Sequence, residues 1–156
     1  MAKTLDLGDK VPDFKLPSSE GKEMSLHDFA GKKIVLYFYP KDDTPGCTVE
    51  ACDFRDTQAD FSKLNAVIVG VSKDSLNSHE KFIGKYKLPF VLLSDEDLKL
   101  MEAFGVWKEK TMYGKTALGV MRSTFLIDEN GVLVKAWRNV KAAGHVQKVL
   151  QELPKV

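Results

Sequence analysis

Apolar and polar positions fall in blocks along the chain, and each block has the period of one kind of element. Val11–Leu26 reads as two short strands around the polar turn Ser19–Lys22. Ile34–Tyr39 is a continuous apolar run of strand length, the pattern of a central strand covered on both faces, and Pro40 stops it. From Thr44 the spacing turns helical: Pro45 suits a first turn, and Val49, Cys52, Phe54 and Phe61 fall near one face. Ala66–Ser72 repeats the buried-strand pattern, and a helix is expected over Ser75–Tyr86. Pro89–Leu93 reads as a short strand, and Ser94 with Asp97 has the spacing of a capping box opening a helix over Asp95–Phe104. Lys108–Leu118 contains Gly114 and lacks helical periodicity, so a loop or small hairpin is expected there. Ser123–Asp128 and Val132–Trp137 flank Glu129-Asn130-Gly131, an Asn-Gly hairpin signal, and an amphipathic helix is expected over Ala142–Leu153.

The resulting order is β-β-β-α-β-α-β-α-β-β-α. Buried strands alternating with helices, then a hairpin and a last helix, predict an α/β chain with a mixed central sheet flanked by helices. That pattern matches a thioredoxin-like sandwich with extra N-terminal strands. The 156 residues suit one domain over 1–156, with no repeat, low-complexity tract or linker to divide it.

Charge narrows the partners. Lys and Arg total 23 against 22 Asp and Glu, a balance that argues against a nucleic-acid face or a polybasic membrane patch. No apolar run approaches the roughly 20 residues of a membrane span. The stretch Met1–Lys10 lacks the apolar core of a secretory leader, so a cytoplasmic protein is expected. In that compartment Cys47 and Cys52, the two cysteines, stay thiols unless they form a redox or metal site. The bland reading is two small core residues. A zinc site would want four ligands, commonly with Cys-x-x-Cys spacing. Here four residues separate the cysteines, and His27, His79 and His145 are scattered, so no metal and no cofactor is expected. The histidines read as surface or cap residues, and nothing near them suggests the oriented base of a cysteine protease. Phosphate-binding glycine loops are absent. Asp95-Glu96-Asp97 reads as an acidic first helical turn, and Trp107 and Trp137 as core or rim aromatics.

Cys47 stands out by position. Sites in open α/β sheets lie beyond the carboxyl ends of the strands, and Cys47 follows the strand Ile34–Tyr39 across a short loop. In the first turn of a helix it meets unpaired N–H groups and the positive end of the helix dipole. Both favour the thiolate, which is the attacking form. Thr44 offers a hydroxyl that donates and accepts, while Pro40 and Pro45 stiffen the loop and bring no N–H. Phe38 and Tyr39 are expected to exclude water. A plain strand–helix turn would account for any one of these residues, but not for the octapeptide Pro40–Cys47 as a whole.

Pro40, Thr44 and Cys47 together form Pro-x-x-x-Thr-x-x-Cys, which resembles the peroxidatic signature of the peroxiredoxins. The wider segment Tyr37–Cys52 resembles the bacterioferritin-comigratory, or Q-type, subfamily. The similarity continues through Leu92–Asp97, Phe104–Trp107 and Arg122–Asp128, and covers the chain from about Leu7 to Leu153. The resemblance implies a thiol peroxidase for hydrogen peroxide and organic hydroperoxides. Cys47 would be the nucleophile, Thr44 would hydrogen-bond the peroxide, and Pro40 would shield the pocket. Arg122 matches the family's active-site arginine; a permanently charged guanidinium stabilises a thiolate and the developing negative oxygen of a leaving group. Glu50 either orients that arginine or lies on the helix surface. The resemblance further implies thioredoxin, or glutaredoxin, as reductant, and a monomer.

Cys52 is the thiol that the resemblance assigns to resolving the oxidised Cys47. Some Q-type members carry this cysteine in the next helix, but Ser75–Tyr86 contains none. Residues five apart in an ideal helix have Cα atoms ~8.6 Å apart, beyond the about 4.4–6.8 Å that a disulfide spans. The first turns of the helix are therefore expected to unwind in each cycle. Two other readings remain open: a protein thiol–disulfide oxidoreductase of the same fold, although Cys-x-x-Cys is missing, and a redox sensor or holdase.

Overall fold

The fold is a computed structural model describing residues 4–29, 31–112 and 114–156; the first three residues of the stretch read for a leader lie outside these. Its centre is β3 (Lys33–Phe38), buried from Ile34 onward. Parallel to it on one side runs β4 (Ala66–Ser72), followed by β5 (Val91–Ser94). On the other side β8 (Ser123–Ile127) pairs antiparallel with β3, and β9 (Leu133–Trp137) antiparallel with β8, giving a mixed sheet in the order β5-β4-β3-β8-β9. β1 (Lys15–Pro17) and β2 (Glu23–Ser25) form the expected N-terminal pair. The segment left open between loop and hairpin is a hairpin, β6 (Trp107–Met112) against β7 (Lys115–Val120).

Strand alternation sends successive β3 side chains to opposite faces. Val35, Tyr37 and Tyr39 join a core with residues of α1 (Pro45–Lys63), α2 (Leu76–Tyr86) and α4 (His145–Glu152). Ile34, Leu36 and Phe38 join the opposite core, closed by Leu100 and Met101 of α3 (Lys99–Ala103) and by Leu16 and Met24 of the N-terminal pair. A mixed sheet between these layers is the thioredoxin-like sandwich that the pattern predicts. Gly70 has a packing reason: a Cβ there would come within 2.7 Å of Leu92 and 2.9 Å of the Tyr37 ring. Only glycine lets that ring lie across β4.

Several local expectations are corrected. α3 begins at Lys99, because Leu98 takes a positive φ of 62° and breaks the turn before it. The Ser94–Asp97 capping box does not form; the Ser94 hydroxyl donates to the Asp74 carbonyl at 2.6 Å. Asp95 instead reaches forward and accepts from the Met101 amide at 2.8 Å. The acidic run therefore precedes the helix rather than forming its first turn. Val49 is exposed, and the buried face of α1 is Cys47, Glu50, Ala51, Phe54 and Phe61. His27 is exposed, but His79 and His145 are buried side chains with hydrogen-bond partners, not surface residues. Among the described residues no helix is long and apolar enough to cross a membrane.

Candidate active site

Cys47 is the third residue of α1, directly beyond the carboxyl end of β3, and is 1% exposed. Helix geometry leaves the Gly46 and Cys47 amides without intrahelical acceptors, since the first bond runs from the Thr48 amide to the Thr44 carbonyl. Arg122 closes the site from across the sheet. It lies one residue before β8, whose Ser123 pairs with Phe38 at the end of β3, so the register brings it to Cys47 from 75 positions away. Its Nη2 donates to the Cys47 sulfur at 3.4 Å and its Nη1 to Glu50 Oε1 at 2.7 Å. Glu50 is fully buried, which decides between its two readings: it holds the arginine and does not lie on the surface.

Glu50 also carries strain. Among the described residues its buried Oε2 has no hydrogen-bond partner, and neither has the buried Tyr37 hydroxyl. Burial pushes the Glu50 carboxyl up to about 7 against the opposing pull of the Arg122 guanidinium. Burial, then the negative charge of Glu50, raises Tyr37 well above its ordinary value. Both phenolic rings behind Cys47, Tyr37 and Tyr39, stack with centroids 5.4 Å apart. Phe38, expected on this side, faces the opposite core, because only alternate strand residues can flank Cys47.

Thr44 precedes α1 in extended backbone, and its hydroxyl makes no cap bond. The hydroxyl donates to the Lys41 carbonyl at 2.8 Å, leaving its lone pairs free to accept from a bound molecule. Pro40 sits half-buried in the loop between β3 and Thr44. Cys52 is half-buried in the same unbroken helix, and both cysteines are free thiols. Cys47, Arg122 and Glu50 are thus in direct contact, Thr44 and Pro40 form the loop beside them, and Cys52 stands apart.

Sequence reasoning missed three contributors. A Cβ on Gly46 would meet Arg122 Nη2 at 3.0 Å, so this glycine makes room for the guanidinium. Lys110 on β6 is half-buried, its side chain packed over Gly119, and is lowered by burial and by the nearby Arg122 charge. Asp42 and His79 are hydrogen-bonded inside the loop–helix junction. Only Gly46 left a visible trace, in Pro45-Gly46-Cys47.

A thiol in the first turn of a helix, closed off from water and touched by a fixed cation, is the site of a cysteine peroxidase on a thioredoxin-like fold. A disulfide exchanger would need its sulfur accessible to a bulky protein disulfide. The chain belongs to the AhpC/TSA family, whose model matches residues 7–136. Peroxiredoxin Bcp of Bacillus subtilis is 55% identical over 150 residues, covering 96% of each chain. The bacterioferritin comigratory protein of Xanthomonas campestris, solved in trapped intermediate/ligand complexes bearing on its alkyl peroxide reduction activity, aligns with a TM-score of 0.87. It is 48% identical over 91% of this chain and 90% of its own. A cysteine-to-serine mutant of Xylella fastidiosa PrxQ aligns with a TM-score of 0.92 at 40% identity, over 99% and 98% of the two chains. The chain is therefore a peroxiredoxin of the Bcp/PrxQ kind, a thiol peroxidase that reduces peroxides at the expense of a thiol reductant.

Proposed function

We propose that Cys47 is the peroxidatic nucleophile and Cys52 the resolving thiol of this peroxidase. The Cys47 thiolate attacks one oxygen of the peroxide, the O–O bond breaks, and water or an alcohol leaves with the other oxygen. Cys47 is left as a sulfenic acid. Arg122 stabilises both the thiolate and the charge that develops on the departing oxygen. Thr44 accepts a hydrogen bond from the peroxide through its free lone pairs, Pro40 keeps water off the pocket, and Glu50 positions Arg122. The Cys52 thiol then condenses with the sulfenic acid, a disulfide forms and water is released. Because ~8.6 Å separates helical Cα atoms five residues apart, α1 unwinds around Cys47 before the sulfurs meet.

The observation that carries this reading is the 3.4 Å contact of the Arg122 guanidinium with a buried Cys47 sulfur. Thioredoxin is the proposed reductant, with glutaredoxin the alternative, and the whole chain is proposed to act as a single-domain cytoplasmic monomer. The alkyl peroxide activity named for the Xanthomonas protein supports organic hydroperoxides as substrates beside hydrogen peroxide. Steady-state assays pairing each peroxide with each reductant test this. Turnover with thioredoxin that vanishes in Cys47→Ser supports it, whereas full activity of Cys47→Ser would overturn it.

A further inference from the structure

His79 is fully buried on α2, and both its ring nitrogens face acceptors. Nε2 lies 2.9 Å from the Leu93 carbonyl oxygen of β5, which can only accept, so Nε2 carries a proton. Nδ1 lies 2.7 Å from Asp42 Oδ2. Asp42 sits between Pro40 and Thr44, and its carboxylate also accepts from the Tyr39 and Ser78 hydroxyls. Asp42 thus ties the loop to Tyr39 and, through Ser78 and His79, to α2. We propose that Asp42 and His79 form a buried hydrogen-bonded latch that positions the loop bearing Thr44 and confines the redox unfolding to Pro45–Phe54.

The groups around the pair fit this role. From the residue just after β3 comes Tyr39, and from β4 Ser72, which holds Asp74. Asp74 faces the Asp42 backbone amide at 2.8 Å and not its carboxylate. From β5 come the Leu93 carbonyl and the Ser94 hydroxyl, the latter turned to Asp74. From α2 come Ser78 and, along the hollow outside it, Lys81 and Lys85. Lys85 is engaged by Asp43, which leaves the Asp42 carboxylate to His79, Ser78 and Tyr39.

The latch has a second half. Asp43, at a positive φ of 58°, accepts from Lys85 Nζ at 2.8 Å and from the Tyr86 hydroxyl at 2.7 Å, both on α2. Three residues beyond Cys52, Arg55 Nη1 donates to the Tyr86 carbonyl at 2.8 Å. α2 therefore grips the chain before Cys47 and after Cys52. The segment free to unwind lies between those grips, and the loop that receives peroxide stays in place.

The confinement rests on the proposed Cys47–Cys52 disulfide, so mass spectrometry of the oxidised protein first establishes that bond; its absence would defeat that reading and leave the latch to be judged in the reduced protein. There, ¹⁵N imidazole NMR is expected to show hydrogen-bonded shifts at both His79 nitrogens, and an Nδ1 without a hydrogen bond would overturn the latch. Hydrogen exchange on the oxidised wild type is expected to accelerate in 45–54 while 40–44 and 76–86 stay protected. Acceleration spreading equally into 40–44 would overturn the confinement. In His79→Gln, single-turnover oxidation of Cys47 is expected to slow about tenfold, with reduction of the preformed disulfide unchanged. Equal rates for variant and wild type would remove His79 as a positioning residue.

Discussion

Glu50 and Arg122 meet at 2.7 Å inside the protein, and the second oxygen of that carboxylate has no hydrogen-bond partner among the described residues. The pair is built for position rather than for stability, since a buried ion pair with an unfilled acceptor repays its desolvation poorly. Arg122→Met is expected to slow oxidation of Cys47 by peroxide about 10²–10³-fold, the cost of losing one donor to developing oxyanion charge. Stopped-flow single turnovers measure it; a loss under threefold would show that the guanidinium is dispensable.

Replacing one hydrogen by a methyl group beside Arg122 tests the same placement more gently. Gly46→Ala puts a methyl 3.0 Å from Arg122 Nη2, while alanine favours the helix by up to about 1 kcal/mol. The variant is expected to lose peroxidase rate without losing denaturant stability. Rate and stability falling together would show general disruption instead of a displaced arginine.

Two buried groups act on stability with opposite pH dependence. Glu50 is raised to about 7, so the folded chain keeps a proton that the unfolded chain releases near its ordinary value of 4.5. Its contribution is complete below that value and is lost as pH rises through 7. His145, its Nε2 2.7 Å from the Thr124 hydroxyl, is lowered to about 4 by burial and by the Arg122 charge. Its contribution is complete above the ordinary 6.5 and is lost as pH falls through 4. Each amounts to a few kcal/mol, on the order of 3 at most. Urea titrations between pH 4 and 7 are expected to be nearly flat for wild type. Glu50→Gln should become more stable with rising pH relative to wild type, and His145→Asn less so; parallel profiles for all three would refute this assignment.

Cys52→Ser separates the two chemical steps. The first equivalent of peroxide is expected to be consumed at the wild-type rate, with sulfenic acid accumulating on Cys47 and no disulfide formed. Intact-mass measurement after one equivalent reads this directly. An intramolecular disulfide in that variant would exclude Cys52 as the partner.

The elements whose period is strong were legible in the chain. Ile34–Tyr39 and Ala66–Ser72 read as buried strands because nearly every position is apolar, and they pair as β3 and β4. The place of Cys47 in a first helical turn was legible because a helix start is a local feature. What escaped depends on distant parts of the chain meeting. Val49 has the right residue type for the core but falls on the outer side of α1, and Phe38 is apolar like Tyr37 yet faces the other layer. His79 and His145 give no sign in sequence that Asp42 and Thr124 wait for them. α3 starts at Lys99 and not at Asp95 because Leu98 takes a positive φ, which a leucine in sequence does not signal.

The 75 positions that separate Cys47 from Arg122 have a consequence for a chain still being made. On the ribosome, Cys47 emerges well before the strand that delivers its guanidinium, and domains fold only as their segments become available. A nascent chain thus presents Cys47 without the guanidinium that lies against its sulfur in the finished fold. That contact forms only when β8 docks against β3, so the site is assembled late in synthesis.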